Sequence, residues 1–248
     1  MNVAPAAIAL VPGLALGSFL NVVAARIPLR RSIVSPGSAC MSCEAPISRR
    51  DNIPLLSFVL LHGKCRHCGA AIPWRYPAVE ATTALLVGGC VLRFGLSWDA
   101  LIGAVFCASL VAVSATDLER WVIPNSIVLP STAVVLVAKT VVHPSVEWIA
   151  AALGAALFLF LAAIIYPAGM GMGDVKLALL LGAALGRTVP IGMFVGMLAA
   201  LVPSAVLFAR HGAAARKMPI PFGPFLALGG VVALFAGKPL LNAYLSML

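Results

Sequence analysis

The sequence predicts an all-α polytopic membrane protein of about eight transmembrane helices with a small four-cysteine extension. Three observations predict this class. The 248 residues are 62% hydrophobic and only 10% charged, with a mean hydropathy of +1.06. A soluble domain of this length needs more polar surface than that. Apolar stretches recur almost to the C-terminus, several near the minimum length for crossing about 30 Å of hydrocarbon. The one long polar interruption, residues 27–76, carries four cysteines in two pairs.

The apolar stretches cover 5–25, 77–93, 98–116, 124–142, 147–167, 174–187, 189–209 and 222–237. The first does not read as a cleavable signal peptide: no Lys or Arg precedes it, whereas Arg26, Arg30 and Arg31 follow it closely. Basic residues favour the cytoplasmic ends of short loops, so this segment is expected to enter with its N-terminus outside. The second opens after Trp74-Arg75-Tyr76, and the third runs from Trp98 to Thr116. The fourth starts at Pro124, and Pro167-Ala168-Gly169 is expected to end the fifth. Only Gly186-Arg187-Thr188 and Pro190 separate the sixth from the seventh, so these two can be counted as one. The run Pro219-Ile220-Pro221-Phe222-Gly223-Pro224 opens the eighth.

Alternating sides along these spans gives an independent check. Residues 26–76 hold eight basic residues, and Arg120, Lys176, Arg210, Arg216 and Lys217 fall on the same side, making thirteen of seventeen. Arg93, Arg187 and Lys238 fall opposite, and Lys139 can snorkel to the outer interface. Both termini are therefore expected outside, with Asp117 and Asp174 at the cytoplasmic side of the membrane. The net charge of +9 is absorbed by topology and anionic membrane lipids. No basic–aromatic groove suggests a nucleic-acid partner. Trp74, Tyr76, Trp98, Trp121 and Trp148 stand near span boundaries, where amphipathic rings are favourable.

Three segments result: a first transmembrane helix over 1–26, a cytoplasmic zinc-binding extension over 27–76, and a seven-helix membrane core over 77–248. The extension is rich in Pro and Gly, has one short apolar helix expected near Ile53–Leu61, and is too small to build its own core. Membrane docking or a cross-link has to compensate. Cys40-Met41-Ser42-Cys43 and Cys65-Arg66-His67-Cys68 supply one: four thiolates at this spacing can enclose zinc tetrahedrally and fill its coordination shell, as a structural site requires. Disulfides, another metal and free thiols are the competing readings, and a cytoplasmic location disfavours disulfides. His62 and His67 are not needed as ligands. Cys90 and Cys107 lie in apolar spans and read as buried, inert thiols.

Two polar islands carry the chemistry, Thr116-Asp117-Leu118-Glu119-Arg120 and Gly171-Met172-Gly173-Asp174-Val175-Lys176. An ionised carboxylate beside a span is costly unless it has a partner or a function. If bundle packing brings Asp117 and Asp174 together, like-charge repulsion lets the pair share one proton. The ionised member then activates water while the protonated member polarises a peptide carbonyl. The plainer reading gives each a structural role: Asp174 caps the following helix, and Asp117 pairs with Arg120 or accepts backbone hydrogen bonds. Glu119 reads as a solvated partner of Arg120, Lys176 as facing lipid headgroups, and Glu80 as part of a polar pocket. A proton-coupled transporter and a noncatalytic assembly factor remain as alternatives.

The chain resembles the bacterial type IV prepilin peptidases, bifunctional prepilin leader peptidases and N-methyltransferases of the GxGD intramembrane aspartyl protease class. The resemblance runs from Gly17-Ser18-Phe19-Leu20-Asn21 and Arg26-Ile27-Pro28, through the paired cysteines and Trp74-Arg75-Tyr76-Pro77-Ala78-Val79-Glu80. It continues through Asp117 with Ile123-Pro124-Asn125 and the GxGD segment at Asp174 to Pro221-Phe222-Gly223-Pro224-Phe225. Met41 stands where many relatives have proline, and Asn125 where an aspartate is frequent.

This resemblance implies cleavage of basic leader peptides from type IV prepilins and type II secretion pseudopilins at the cytoplasmic face, with Asp117 and Asp174 catalytic. It also implies methylation of the exposed α-amine with S-adenosyl-L-methionine as methyl donor. No Gly-rich cofactor motif points to the residues that hold that donor.

Overall fold

A computed structural model describes residues 2–166, 170–212, 214, 218 and 220–247. The expected end of the fifth span at Pro167-Ala168-Gly169, the basic residues Arg216 and Lys217, and Pro219 lie outside them. The described residues form nine α-helices and no strand: α1 Val3–Arg26, α2 Leu56–Leu60, α3 Arg75–Phe94, α4 Trp98–Arg120, α5 Asn125–Val142, α6 Glu147–Ile165, α7 Met172–Leu185, α8 Val189–His211 and α9 Gly223–Leu245. Seven stretches are long and apolar enough to cross a membrane, and one of them, Met172–His211, contains both α7 and α8. A turn at Gly186, whose φ of +57° suits glycine, separates those two. The expected count of about eight therefore agrees with the helices themselves, and the ambiguity between the sixth and seventh recurs in the structure.

Two boundaries differ from expectation. α4 continues through Leu118-Glu119-Arg120, which are good helix formers, so Asp117 lies in a helical turn rather than a loop. It ends where Trp121 takes the left-handed conformation (φ +58°) and donates its N–H to the Asp117 carbonyl at 2.9 Å. α9 runs on to Leu245 past Pro239, because a proline is tolerated in a membrane helix when neighbouring groups take up the freed carbonyls.

The chain divides into two compact units, Met1–Ala115 and Thr116–Leu248. In the first, α1 packs along α3 through a Gly13-x-x-x-Gly17 stripe. A Cβ at Gly17 would stand 2.6 Å from the Glu80 Cα, and one at Gly13 would stand 2.7 Å from the Ala84 Cα. Lipid tails are as apolar as leucine, so membrane helices associate by such close backbone approach rather than by hydrophobicity. In the second unit Gly182 of α7 abuts Ala151 and Ala152 of α6, and Gly192 of α8 abuts Gly229 of α9. α6 shows the resulting inverted pattern. Ala152, Ala155 and Ala156 are buried, while Leu153, Leu157, Phe158 and Ile164 face outward.

Candidate active site and metal centre

In the second unit, α4 ends and α7 begins with a buried aspartate each. Asp117 is 6% exposed and Asp174 is 8% exposed. The Gly223 N–H, at the start of α9, donates to Asp117 Oδ2 at 2.9 Å. The Gly171 N–H donates to Asp174 Oδ2 at 3.2 Å, so the capping role foreseen for Asp174 exists. One such bond orients a carboxylate without exhausting its four acceptor positions. Capping is therefore compatible with chemistry at the same side chain. Arg120 pairs with Glu119 at 3.8 Å, whereas the hydrogen bond of Asp117 is to Gly223.

Ile123 connects the two aspartates. A Cβ on Gly173 would lie 2.8 Å from Ile123 Cβ, and one on Gly223 would lie 3.3 Å from Ile123 Cδ1. The Gly-x-Gly-Asp turn that carries Asp174 and the start of α9 that binds Asp117 thus close on one side chain. Close approach is what these glycines supply. A Cβ at Gly223 would stand 2.8 Å from Asp117 Oδ2, and nothing there can retreat except the carboxylate. Gly223→Ala should cost about 1–3 kcal/mol through overpacking and displace Asp117. The expected readout is a lower thermal midpoint in lipid together with lower activity.

Lys176 does not simply face headgroups. Its Nζ donates to Asn125 Oδ1 at 2.9 Å, tying the first turn of α5 to that of α7. The uncharged Asn125 therefore keeps a hydrogen-bonding role. This clasp was not foreseen, and for Asp117 a backbone donor was expected as one alternative but not its identity as Gly223. A backbone donor carries no side-chain signature, and the Lys176–Asn125 pair lies 51 residues apart.

In the first unit, the two cysteine hooks are near copies. The Cys40 N–H donates to the Ala45 carbonyl and the Cys65 N–H to the Ala70 carbonyl, while Glu44 and Gly69 each donate back to the first cysteine's carbonyl. Both return residues are left-handed, Glu44 at φ +58° and Gly69 at φ +70°. An isolated antiparallel bridge closes each hook, Ala39–Pro46 and Lys64–Ala71. The four sulfurs lie within 4.8 Å of one another, and Cys40 and Cys68 are 3.8 Å apart. A tetrahedron with metal–sulfur bonds of about 2.3 Å has sulfur edges of about 3.8 Å, whereas a disulfide needs about 2.05 Å. The donor set and its spacing therefore fit a tetrahedral metal ion. N–H groups of Cys43 and Ser42 pull the Cys40 thiol down to about 6, whereas, against the pull of the Ala70 N–H, neighbouring thiols and burial push Cys68 up to about 11. His62 and His67 are outside the cluster.

Side chains fasten this extension to α1 and α3. Arg66 grips Asp51 through two bonds of 2.9 and 2.6 Å, which hold the Asp51 carboxyl below its usual range. Arg26 donates to the Ser32 and Gly37 carbonyls, Asn21 to the Tyr76 carbonyl, and the Tyr76 hydroxyl to Met41 Sδ. Glu80, expected in a polar pocket, is buried and accepts the Leu55 N–H at 2.9 Å. It thereby holds Leu55 at a left-handed φ of +58°. Glu80→Ala would orphan that N–H, a cost of about 1–3 kcal/mol. Faster proteolysis at Arg49 or Arg50 should follow, with Glu80→Gln restoring protection.

Comparison with known proteins agrees with this arrangement. The profile of the Bacterial Peptidase A24 N-terminal domain matches residues 11–94, and that of the Type IV leader peptidase family matches residues 104–208. A prepilin leader peptidase/N-methyltransferase of Bacillus subtilis is 39% identical over 249 residues, covering 95% of this chain and 96% of the relative. The chain belongs to the prepilin leader peptidase/N-methyltransferase family. Proteins of the same name from Stutzerimonas stutzeri (35% identical; 96% and 92% covered) and Pseudomonas aeruginosa (34%; 94% and 91%) match over similar lengths. No solved structure matches the chain. Both the cysteine hooks and Glu80 fall in the stretch matched by the N-terminal profile. Asp117 and Asp174 fall in the stretch matched by the leader peptidase profile. Membership of the prepilin leader peptidase/N-methyltransferase family gives no support to a transporter or a noncatalytic assembly factor.

Proposed function

We propose that this multi-pass inner-membrane protein cleaves the leader from type IV prepilins and from type II secretion pseudopilins, then methylates the new α-amine. The observation that carries the reading is the pair of buried aspartates, Asp117 and Asp174, each oriented by a backbone N–H donor. The pair holds one proton between its carboxylates. The ionised member takes a proton from water as that water attacks the scissile carbonyl, and the protonated member polarises the carbonyl oxygen. Collapse of the tetrahedral intermediate, with protonation of the nitrogen, releases the amine and the leader carboxylate. Each aspartate can act as acid or base in successive turnovers, so neither has a permanent label.

The thirteen-to-four charge bias supports both termini outside, with the aspartates and the extension on the cytoplasmic side. The segments 1–26, 27–76 and 77–248 then act as a first span, a metal-binding extension and the membrane core bearing the protease site. Cys40, Cys43, Cys65 and Cys68 hold a structural Zn2+, whose filled shell leaves it no catalytic position. Methyl transfer would use S-adenosyl-L-methionine as the source of an electrophilic methyl for the deprotonated α-amine, with S-adenosylhomocysteine as the leaving group. The purified chain in lipid, given a prepilin and S-adenosyl-L-methionine, should yield a product lacking the leader and carrying one added methyl group by mass. Leader loss without the methyl group would reject the second activity for that precursor, and intact precursor would reject both.

A further inference from the structure

Outside the aspartate site, the most conspicuous surface of the first unit is α2 and its surroundings. Leu56, Val59 and Leu60 are 50%, 67% and 67% exposed, and Ile53 just before the helix is 46% exposed. Residues 56, 59 and 60 share one side of the helix by their spacing, while Ser57 is turned inward and donates to the Arg50 carbonyl at 2.9 Å. The Phe58 ring meets Trp74 at 5.0 Å, and Trp74, 77% exposed, directly precedes α3. This apolar surface lies in an otherwise polar, solvent-facing segment.

Its depth is set by α3. That helix is apolar and long enough to cross a membrane, and its first residue is Arg75. Trp74 stands at its mouth, where indole rings favour the headgroup layer. Leu55, the residue before α2, donates to Glu80, which lies five residues into α3. At 1.5 Å per residue that is about 7.5 Å along the helix axis. The extension is also tied back to Arg26 at the end of α1, which donates to the Ser32 and Gly37 carbonyls. α2 is therefore pinned at the level of the first turns of α3 and cannot stand off in the cytosol.

Charge identifies the occupant. Arg49, Arg50 and Lys64 flank α2 in sequence, and the only carboxylate between Arg49 and Arg75 is Asp51, which Arg66 holds. Apolar side chains and tryptophan at interface depth, flanked by these cations, match an anionic lipid leaflet. We infer that α2 lies in the headgroup–acyl boundary of the membrane as an interfacial anchor, with Val59, Leu60 and Trp74 among the acyl chains and Arg49, Arg50 and Lys64 on anionic headgroups. The anchor presses the cysteine hooks against the leaflet from which α1 and α3 emerge. It also commits the extension's cations to lipid, leaving them unavailable to repel a basic leader.

The test places a diazirine amino acid at position 59 of the full chain, in vesicles of equimolar phosphatidylcholine and phosphatidylglycerol. After photolysis, mass spectrometry identifies the adduct. The expected result is a lipid adduct at 59 and none at a matched probe at 44, on the first cysteine hook. Phosphatidylglycerol should exceed phosphatidylcholine by about twofold or more, and Arg49→Gln with Arg50→Gln should reduce that excess. A second probe at 60 serves if the first variant does not fold. Adducts to another segment of the chain, to a second copy or to added prepilin would overturn the assignment. Capture of water alone at both positions would do the same.

Discussion

Replacing Asp117 or Asp174 by asparagine stops leader cleavage while leaving the fold intact. Asparagine keeps the acceptor oxygen that meets the Gly223 or Gly171 N–H, so the helix ends should hold. It cannot take a proton from water or give one to the leaving amine. A positioned acid or base contributes about 10²–10⁴-fold, and groups that act as a unit fail together. Each single variant, and the double variant, should therefore fall by about a thousandfold or more. Cleavage is followed by loss of the leader's mass, with the thermal midpoint as control. A purely structural role predicts the reverse, a lowered midpoint with cleavage surviving in the molecules that fold.

Removing the metal has the next largest effect. Residues 27–76 contain no buried hydrophobic side chain, and the four sulfurs stand together where the two hooks meet. Structural zinc supplies about 10–16 kcal/mol in zinc-finger peptides, far more than the few side-chain bonds to α1 and α3 can replace. One zinc per chain is expected by elemental analysis of purified protein, and none in a Cys65→Ser/Cys68→Ser variant. That variant should be cut by trypsin at Arg49, Arg50 or Arg66, where the unmodified chain resists. Because Asp117 and Asp174 belong to the other compact unit, leader cleavage should persist in that variant. Its loss would place the extension in the protease machinery.

What the sequence made legible follows from how loudly each residue type speaks. Asp117 and Asp174 stand out because a carboxylate is improbable beside an apolar span. The four cysteines stand out by spacing, and the helices by length. The partners of these residues were silent. Gly223 acts through a backbone N–H, and Ile123 acts by being wedged between two glycines, which in sequence is one isoleucine among many. Lys176 and Glu80 were visible as charges, but their partners, the Asn125 amide and the Leu55 backbone, are set by tertiary packing. The end of α4 was placed too early because hydropathy falls at Thr116, whereas helix propensity continues to Arg120.

Cleavage in 18O-water, with the chain reconstituted in lipid and a synthetic prepilin as substrate, tests the central claim most directly. A water activated by Asp117 and Asp174 leaves one solvent oxygen in the carboxylate of the released leader. That labelled leader should appear with the unmodified chain and be absent with Asp117→Asn and with Asp174→Asn. Labelled leader formed at an undiminished rate by either variant would contradict the account.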